Sequence, residues 1–221
     1  MTKVSVVIPA YNEEGYLGQT LAALRQEHWY DQLIVVNDGS TDRTGKIADQ
    51  YSDMTVHVHS NVGKGRALQE GWKKAEGDII VMLDADLGPS ITEAKKLLEP
   101  LQYPFFDCVI GRLPSGRKKG LGLMKKRVQR LVLKRTGTWL TSPLSGQRAI
   151  RKKWIPFLLE KNYFRFGVET EMTIDLLEEG ATIVEVDTNM YHRETGKDLK
   201  GFLHRGIQWI EMERSLRRIS E

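Results

Sequence analysis

The sequence predicts an α/β fold, a Rossmann-like, mostly parallel sheet flanked by helices, and three observations carry that prediction. Short β-rich runs alternate with helical patterns through the N-terminal half. Runs such as VSVVI (4–8) and DIIVML (78–83) are apolar almost throughout, as in strands covered by helices on both faces. The chain has 221 residues, 40% hydrophobic and 28% charged, enough for one large domain with a sizeable core and unlike a collagen, a coiled coil or a disordered chain.

In chain order, residues 4–8, 33–36, 55–58 and 79–83 read as strands and 15–25, 42–51, 65–75 and 91–98 as the helices between them, a βαβ series. Gly77 follows a helix end, and Ser90 with Glu93 resembles a capping box opening the fourth helix. The second half is less regular. It offers strands at 108–111, 147–150 and 182–186, helices at 121–135 and 168–179, the latter closed by Gly180, and a long final helix from about residue 198.

Residues 1–110 carry 10 Lys and Arg against 16 Asp and Glu, whereas residues 111–221 carry 23 against 13. An acidic half joined to a basic half suggests metal chemistry in the first and anionic partners for the second. The single cysteine, Cys108, excludes an internal disulfide and a multi-cysteine zinc site and points to a reducing cytoplasm. No apolar run reaches the roughly 18 residues of a spanning helix, and the opening MTKVSVVIPAYNEE lacks the pattern of a secretory leader.

Ligands of an open parallel sheet bind beyond the carboxyl ends of its strands. Here those loops read Pro9-Ala10-Tyr11-Asn12-Glu13, Asn37-Asp38-Gly39-Ser40-Thr41-Asp42, Asn61-Val62-Gly63-Lys64-Gly65-Arg66 and Asp84-Ala85-Asp86. Asp84 and Asp86, two apart at a strand end, bring two carboxylates toward one point, an arrangement that suits Mg²⁺ or Mn²⁺ with room left for diphosphate oxygens. Gly63-Lys64-Gly65 is neither a Walker loop, since Val58 and Gly65 occupy the places of its first glycine and its Ser/Thr, nor a dinucleotide fingerprint, since Leu68 replaces the third glycine. A Gly-rich turn opening a helix still holds an anion through backbone N–H groups, and Lys64 can neutralise a phosphate.

The strings VSVVIPAYNEE (4–14), LIVVNDGSTDRT (33–44), NVGKGRAL (61–68) and GDIIVMLDADLGPS (77–90) resemble, in order and spacing, the family 2 glycosyltransferases with a GT-A fold. Within them the chain is similar to the dolichol-phosphate-mannose-synthase-like enzymes, and the likeness runs more loosely through SGQRAI (145–150) to about residue 193. The resemblance implies a single domain over 1–221, with a nucleotide-sugar half (1–110) and an acceptor-binding half (111–221). It makes Pro9, Ala10, Tyr11 and Glu13 the wall and anchor of the nucleoside and sets Asp38 at the base edge. Gly63 and Lys64 fall near the base and diphosphate, Asp84 with Ala85 at the ribose, and Asp86 at the metal. Many relatives have a second acid where this chain has Asn37.

Downstream, Glu169 and Glu171 match the family's acidic helix start and are the candidate catalytic bases, with Glu169 preferred. Gly146 and Gln147 match its acceptor-side loop. His192, after a strand, is the expected second metal ligand beside Asp86, and Arg193 the expected clamp on the diphosphate. His28, His57, His59 and His204 have no such context and read as structural.

Residues 112–135 hold 10 Lys and Arg and no acid. Leu121, Met124, Val128, Leu131 and Val132 line one face of a helix whose other faces are basic, a basic amphipathic insertion. This helix lies on an anionic membrane beside a polyprenyl phosphate, lines a pocket for a soluble phosphorylated acceptor, or packs its apolar side on the domain. No nucleic-acid motif accompanies it.

The expected activity is metal-dependent transfer of a sugar from a UDP- or GDP-linked donor to an acceptor, with inversion if displacement is direct, in the cytoplasm or at the inner face of the membrane. The alternatives are a nucleotidyltransferase, which should carry a Gly-rich loop with Arg after the first strand where this chain has PAYNEE, and a degenerate nucleotide- or membrane-binding regulator.

Overall fold

Four strands of the N-terminal half, β1 (Val4–Ala10), β2 (Gln32–Asp38), β3 (Met54–Val58) and β4 (Ile79–Met82), pair in parallel, β1 lying between β2 and β4. The computed structural model describes residues 2–114, 121–163 and 167–192. Helices α1 (Leu17–Leu24), α2 (Thr44–Tyr51) and α3 (Lys64–Trp72) connect these strands, and a 3-10 helix, Gly88–Leu98, follows β4. The second half adds β5 (Cys108–Arg112), α4 (Leu121–Thr136), β6 (Arg148–Arg151), the short α5 (Ile155–Glu160), α6 (Val168–Glu178) and β7 (Ile183–Asp187). Together the described strands form one sheet in the order β3-β2-β1-β4-β6-β5-β7, in which β6 runs antiparallel to both neighbours and β5 pairs in parallel with β7.

The unbroken apolar strands are buried on both faces, as their sequence predicts. Val7, Ile34, Val36, Ile80, Met82, Cys108 and Ile150 pack against α3, α4, α5 and α6. Val6, Ile8, Leu33, Val35, Val81 and Val109 pack against α1, α2 and the 3-10 helix. Gly71 of α3 marks how tightly the layers approach: a Cβ there would lie 2.4 Å from Val7 Cγ1.

Predicted and observed elements differ chiefly at their ends. The α5 helix was not anticipated, and residues 91–98 belong to the 3-10 helix rather than to an α-helix. Nor do Ser90 and Glu93 cap it as a reciprocal pair. Ser90 Oγ donates to Leu87 O, whereas Glu93 accepts from Asn189 N and Lys96 Nζ. Gly180 does close α6: at φ 90° it donates to Leu177 O while Ala181 donates to Leu176 O, the paired bonds of a Schellman motif. The final helix expected from about residue 198 lies outside the described residues.

Candidate active site

The carboxyl ends of β1 to β4 deliver their loops to one rim, and the antiparallel β6 begins at that rim. Asn12, in the left-handed region at φ 53°, stitches the first two loops: its N–H donates to Ser40 Oγ (3.0 Å) and its Oδ1 accepts from Thr41 N (2.9 Å). Pro9 and Ala10 end β1 in register with Val36 and Asn37, Tyr11 is exposed, and Glu13 N donates to Thr44 Oγ1 at 2.8 Å.

Asp38 is 3% exposed, and its carboxylate accepts from Val62 N (2.8 Å), Gly63 N (2.9 Å) and Asn61 Nδ2 (3.0 Å). The residue expected at a base edge is thus engaged in shaping the loop that opens α3. Gly63 sits at φ 90°, which favours glycine, and Lys64 follows as the first residue of α3. Asn37, in place of a second acid, donates to His57 Nδ1 (3.2 Å), whose Nε2 faces Asp49 Oδ1 (2.9 Å).

Lys64 reaches across the rim to two carboxylates, Asp84 Oδ1 and Glu169 Oε1, each 2.6 Å from Nζ. Burial disfavours the ammonium, but the two carboxylates outweigh it and hold Lys64 above the ordinary lysine value. Burial likewise opposes the Asp84 charge, and Lys64, His192 and the Gln147 hydrogen bond together pull it below the usual carboxylate range. His192 Nδ1 lies 2.9 Å from Asp86 Oδ1 and Nε2 lies 3.7 Å from Asp84 Oδ2. Here too burial opposes protonation, and the Asp86 hydrogen bond with the two aspartate charges raises His192 above the ordinary imidazole value. The sequence therefore brings Lys64, Asp84, Asp86, Glu169 and His192 together. Glu171 shares the first turn of α6 with Glu169, and Arg193 lies outside the described residues.

The expectation for Gln147 changes. It is fully buried, accepting from Asp84 N (3.1 Å) through Oε1 and donating to Asp84 Oδ2 (2.5 Å) through Nε2, so its side chain faces the Asp84 carboxylate rather than open acceptor space. Gly146 packs just above: a Cβ there would lie 2.7 Å from Lys64 Nζ and 2.9 Å from both Asp84 oxygens. The loop leading to them is tied down from three sides. Glu185 accepts from Thr141 N, Thr141 Oγ1 and Ser142 N at 2.6–2.8 Å, Gln129 donates to Thr141 O, and Arg148 donates to the carbonyls of Pro143 and Ser145.

Sequence reasoning missed two supports. Thr20, buried in the apolar stripe Leu17, Leu21, Leu24 of α1, donates to Ala85 O (2.8 Å) and accepts from Gly88 N (2.9 Å), fixing the backbone around Asp86. A hydroxyl among core leucines was the available signal. The other support is Arg148, which opens β6 and is fully buried.

Helix α4 packs Met124, Val128 and Val132 into the core, which withdraws its apolar stripe from any membrane. Its outward surface carries Lys125, Lys126, Arg127, Arg130 and Lys134 with Leu123 and Leu133, and Trp139 is exposed beyond its end. Among the described residues no helix is long and apolar enough to cross a membrane.

The sequence matches the family described as Glycosyl transferase family 2 over residues 5–162. Glycosyltransferase AglJ of Haloferax volcanii is 30% identical over 220 residues, covering 96% of this chain and 71% of that one. An undecaprenyl-phosphate 4-deoxy-4-formamido-L-arabinose transferase of Pectobacterium carotovorum is 30% identical over 214 residues, covering 90% of this chain and 63% of that one. The chain thus spans about two thirds of the length of these curated relatives. A crystal structure of glucosyl-3-phosphoglycerate synthase from Mycobacterium tuberculosis with Mn²⁺, UDP and glucosyl-3-phosphoglycerate matches with a TM-score of 0.76 at 26% identity, over 97% of this chain and 80% of that one.

Proposed function

The chain belongs to glycosyl transferase family 2, a nucleotide-sugar-dependent glycosyltransferase with the GT-A fold, and from that membership we propose that it moves a sugar from a UDP-linked donor onto a polyprenyl phosphate. Family membership removes the nucleotidyltransferase alternative. The observation that carries the reading is the Asp84 and Asp86 pair at the carboxyl end of β4, with His192 hydrogen-bonded to Asp86.

Asp86 and His192 offer a hard oxygen and an imidazole nitrogen side by side. Among the described residues no three His, Cys, Asp or Glu side chains form a ready metal cage. That combination fits Mg²⁺ or Mn²⁺, which are held by one or two protein groups and complete their shell with diphosphate oxygens and water. When bound, the ion neutralises charge on the departing diphosphate. Pro9, Ala10, Tyr11 and Glu13 wall the nucleoside, and Asp84 with Ala85 meets the ribose. Lys64 adds a fixed positive charge beside them, and Arg193 clamps the diphosphate.

A phosphate acceptor is already ionised and needs no base. A hydroxyl acceptor would give its proton to Glu169 or Glu171. Attack in line with the leaving diphosphate inverts the anomeric centre, which NMR of the product tests directly. The polyprenyl phosphate is supported by the undecaprenyl-phosphate transferase among the relatives and by the exposed basic face of α4 with Leu123, Leu133 and Trp139, which suits an anionic membrane surface. The phosphoglycerate glycoside bound by the structural neighbour keeps a soluble phosphorylated acceptor as the second reading.

The test is calorimetry of UDP and GDP with Mn²⁺ or with EDTA, on the wild type and on Asp86→Asn, followed by sugar transfer to undecaprenyl phosphate in vesicles and to 3-phosphoglycerate. We expect UDP to bind with Mn²⁺ alone, Asp86→Asn to lose that binding while staying folded, and the lipid phosphate to accept the sugar. Metal-independent binding or turnover would overturn the metal assignment.

A further inference from the structure

Six residues on and around the turn of residues 145–148 form a ring of hydrogen bonds and ion pairs. Gln147 holds the Asp84 carboxylate and backbone N–H, Lys64 joins Asp84 Oδ1 to Glu169 Oε1, and Thr173 Oγ1 donates to the Glu169 carbonyl at 2.6 Å. Arg148 closes the ring, donating from Nη1 to Thr173 Oγ1 (2.7 Å), from Nε to Ser145 O (2.7 Å) and from Nη2 to Pro143 O (2.8 Å). Its guanidinium is fully buried, and each of these three acceptors is neutral. Among the described residues it makes no ion pair. Burying a charge this way is costly unless its donors are well satisfied, and three divergent bonds at fixed angles are what a guanidinium provides and an ammonium does not.

We infer that Gln147 and Arg148 are positioning residues, adjacent on one turn. Gln147 aims Asp84 into the donor site, and Arg148, through Thr173, fixes the start of α6 and with it Glu169. The inference rests on the proposed donor site and replaces the acceptor contact expected for Gln147. Gly146 lets the turn lie against the Lys64–Asp84 pair without a Cβ between them. The two halves of the site then hold one separation, with Lys64 as the span.

The variants are Gln147→Met, which keeps volume and removes both hydrogen bonds, and Thr173→Val, which removes only the hydroxyl between Arg148 and Glu169. Arg148→Lys keeps the charge without the fork. Outer residues of this kind cost about 10- to 100-fold when removed. Gln147→Met should weaken Mn²⁺-dependent binding of UDP or GDP, whichever the wild type binds, by that factor. Thr173→Val and Arg148→Lys should leave nucleotide Kd within about twofold and lower kcat for hydrolysis of the matching UDP-glucose or GDP-mannose by about tenfold, with donor KM unchanged. A purely structural role would instead lower Tm and leave the binding and turnover of the folded fraction as in wild type. Wild-type kinetics and binding in the variants would overturn the inference. A wild type that binds neither nucleotide defeats the donor reading instead, and crystal structures of the variants then decide the inference without a ligand: an opened ring, with Asp84 or Glu169 turned away from Lys64, supports it, and an unchanged ring overturns it.

Discussion

Lys64 places one positive charge between two carboxylates that would otherwise repel across the rim. Its side chain and its partners' are each a quarter exposed or less, so these pairs are screened less than a surface bridge. Lys64→Met leaves Glu169 without its ion pair and Asp84 with Gln147 and His192 alone, and should cost about 2–3 kcal/mol by chemical denaturation. The sign of the pH dependence follows from the two shifts. Asp84 is held below its ordinary value, so its contribution is complete above about pH 4 and is lost as the pH falls through the lowered value. Lys64 is held above its ordinary value, so its contribution is complete below about pH 10 and is lost as the pH rises through the raised one. A wild-type stability plateau that Lys64→Met does not lower would show the pairs to be idle. His192 matters for affinity instead. Raised above about 6.5, it must release a proton to ligate, so Mn²⁺ affinity should begin to fall already at neutral pH as the solution is acidified. Titration of Mn²⁺ binding between pH 8 and pH 5.5 checks this, and a flat profile would remove His192 from the ligand set.

At the level of elements, α4 shows how a periodic pattern can be right while its partner stays open. The stripe of Met124, Val128 and Val132 was legible because a 3.6-residue period needs only local sequence, but nothing local says whether the covering surface is lipid or protein, and the structure supplies protein. What remains outward is charge. If that face meets an anionic membrane, Lys125→Glu with Lys126→Glu should weaken binding to vesicles containing phosphatidylglycerol by tenfold or more, at about 1 kcal/mol per cation, with nucleotide affinity unchanged. Equal sedimentation of both proteins with the vesicles would favour the soluble acceptor. The α5 helix was harder to read, because its six residues carry little more than one turn of periodicity, and over 88–98 the helix was legible but its 3-10 form, decided by packing, was not.

Across the whole molecule, four strand-end loops could be gathered onto one rim from sequence because a parallel sheet with helical crossovers leaves its strands facing one way. That rule puts Asp84, Asp86 and Lys64 on the rim, and family resemblance adds Glu169, which lies beside Lys64. The insertion of β6 between β4 and β5, and its reversed direction, left no such trace, since strand pairing across about 40 to 70 residues is set by tertiary contacts. Hence Gln147 looked like a loop residue free to meet an acceptor, when the turn leading into β6 delivers it behind Asp84. One further consequence concerns the anchored segment of residues 141–145. Glu185, Gln129 and Arg148 grip its backbone at the amides of 141 and 142 and the carbonyls of 141, 143 and 145, while Pro143 is buried and Leu144 packs on the core, so main chain and side chains are fixed together. An engineer seeking a new acceptor range should keep this segment and its three gripping residues whole and vary the exposed residues around it.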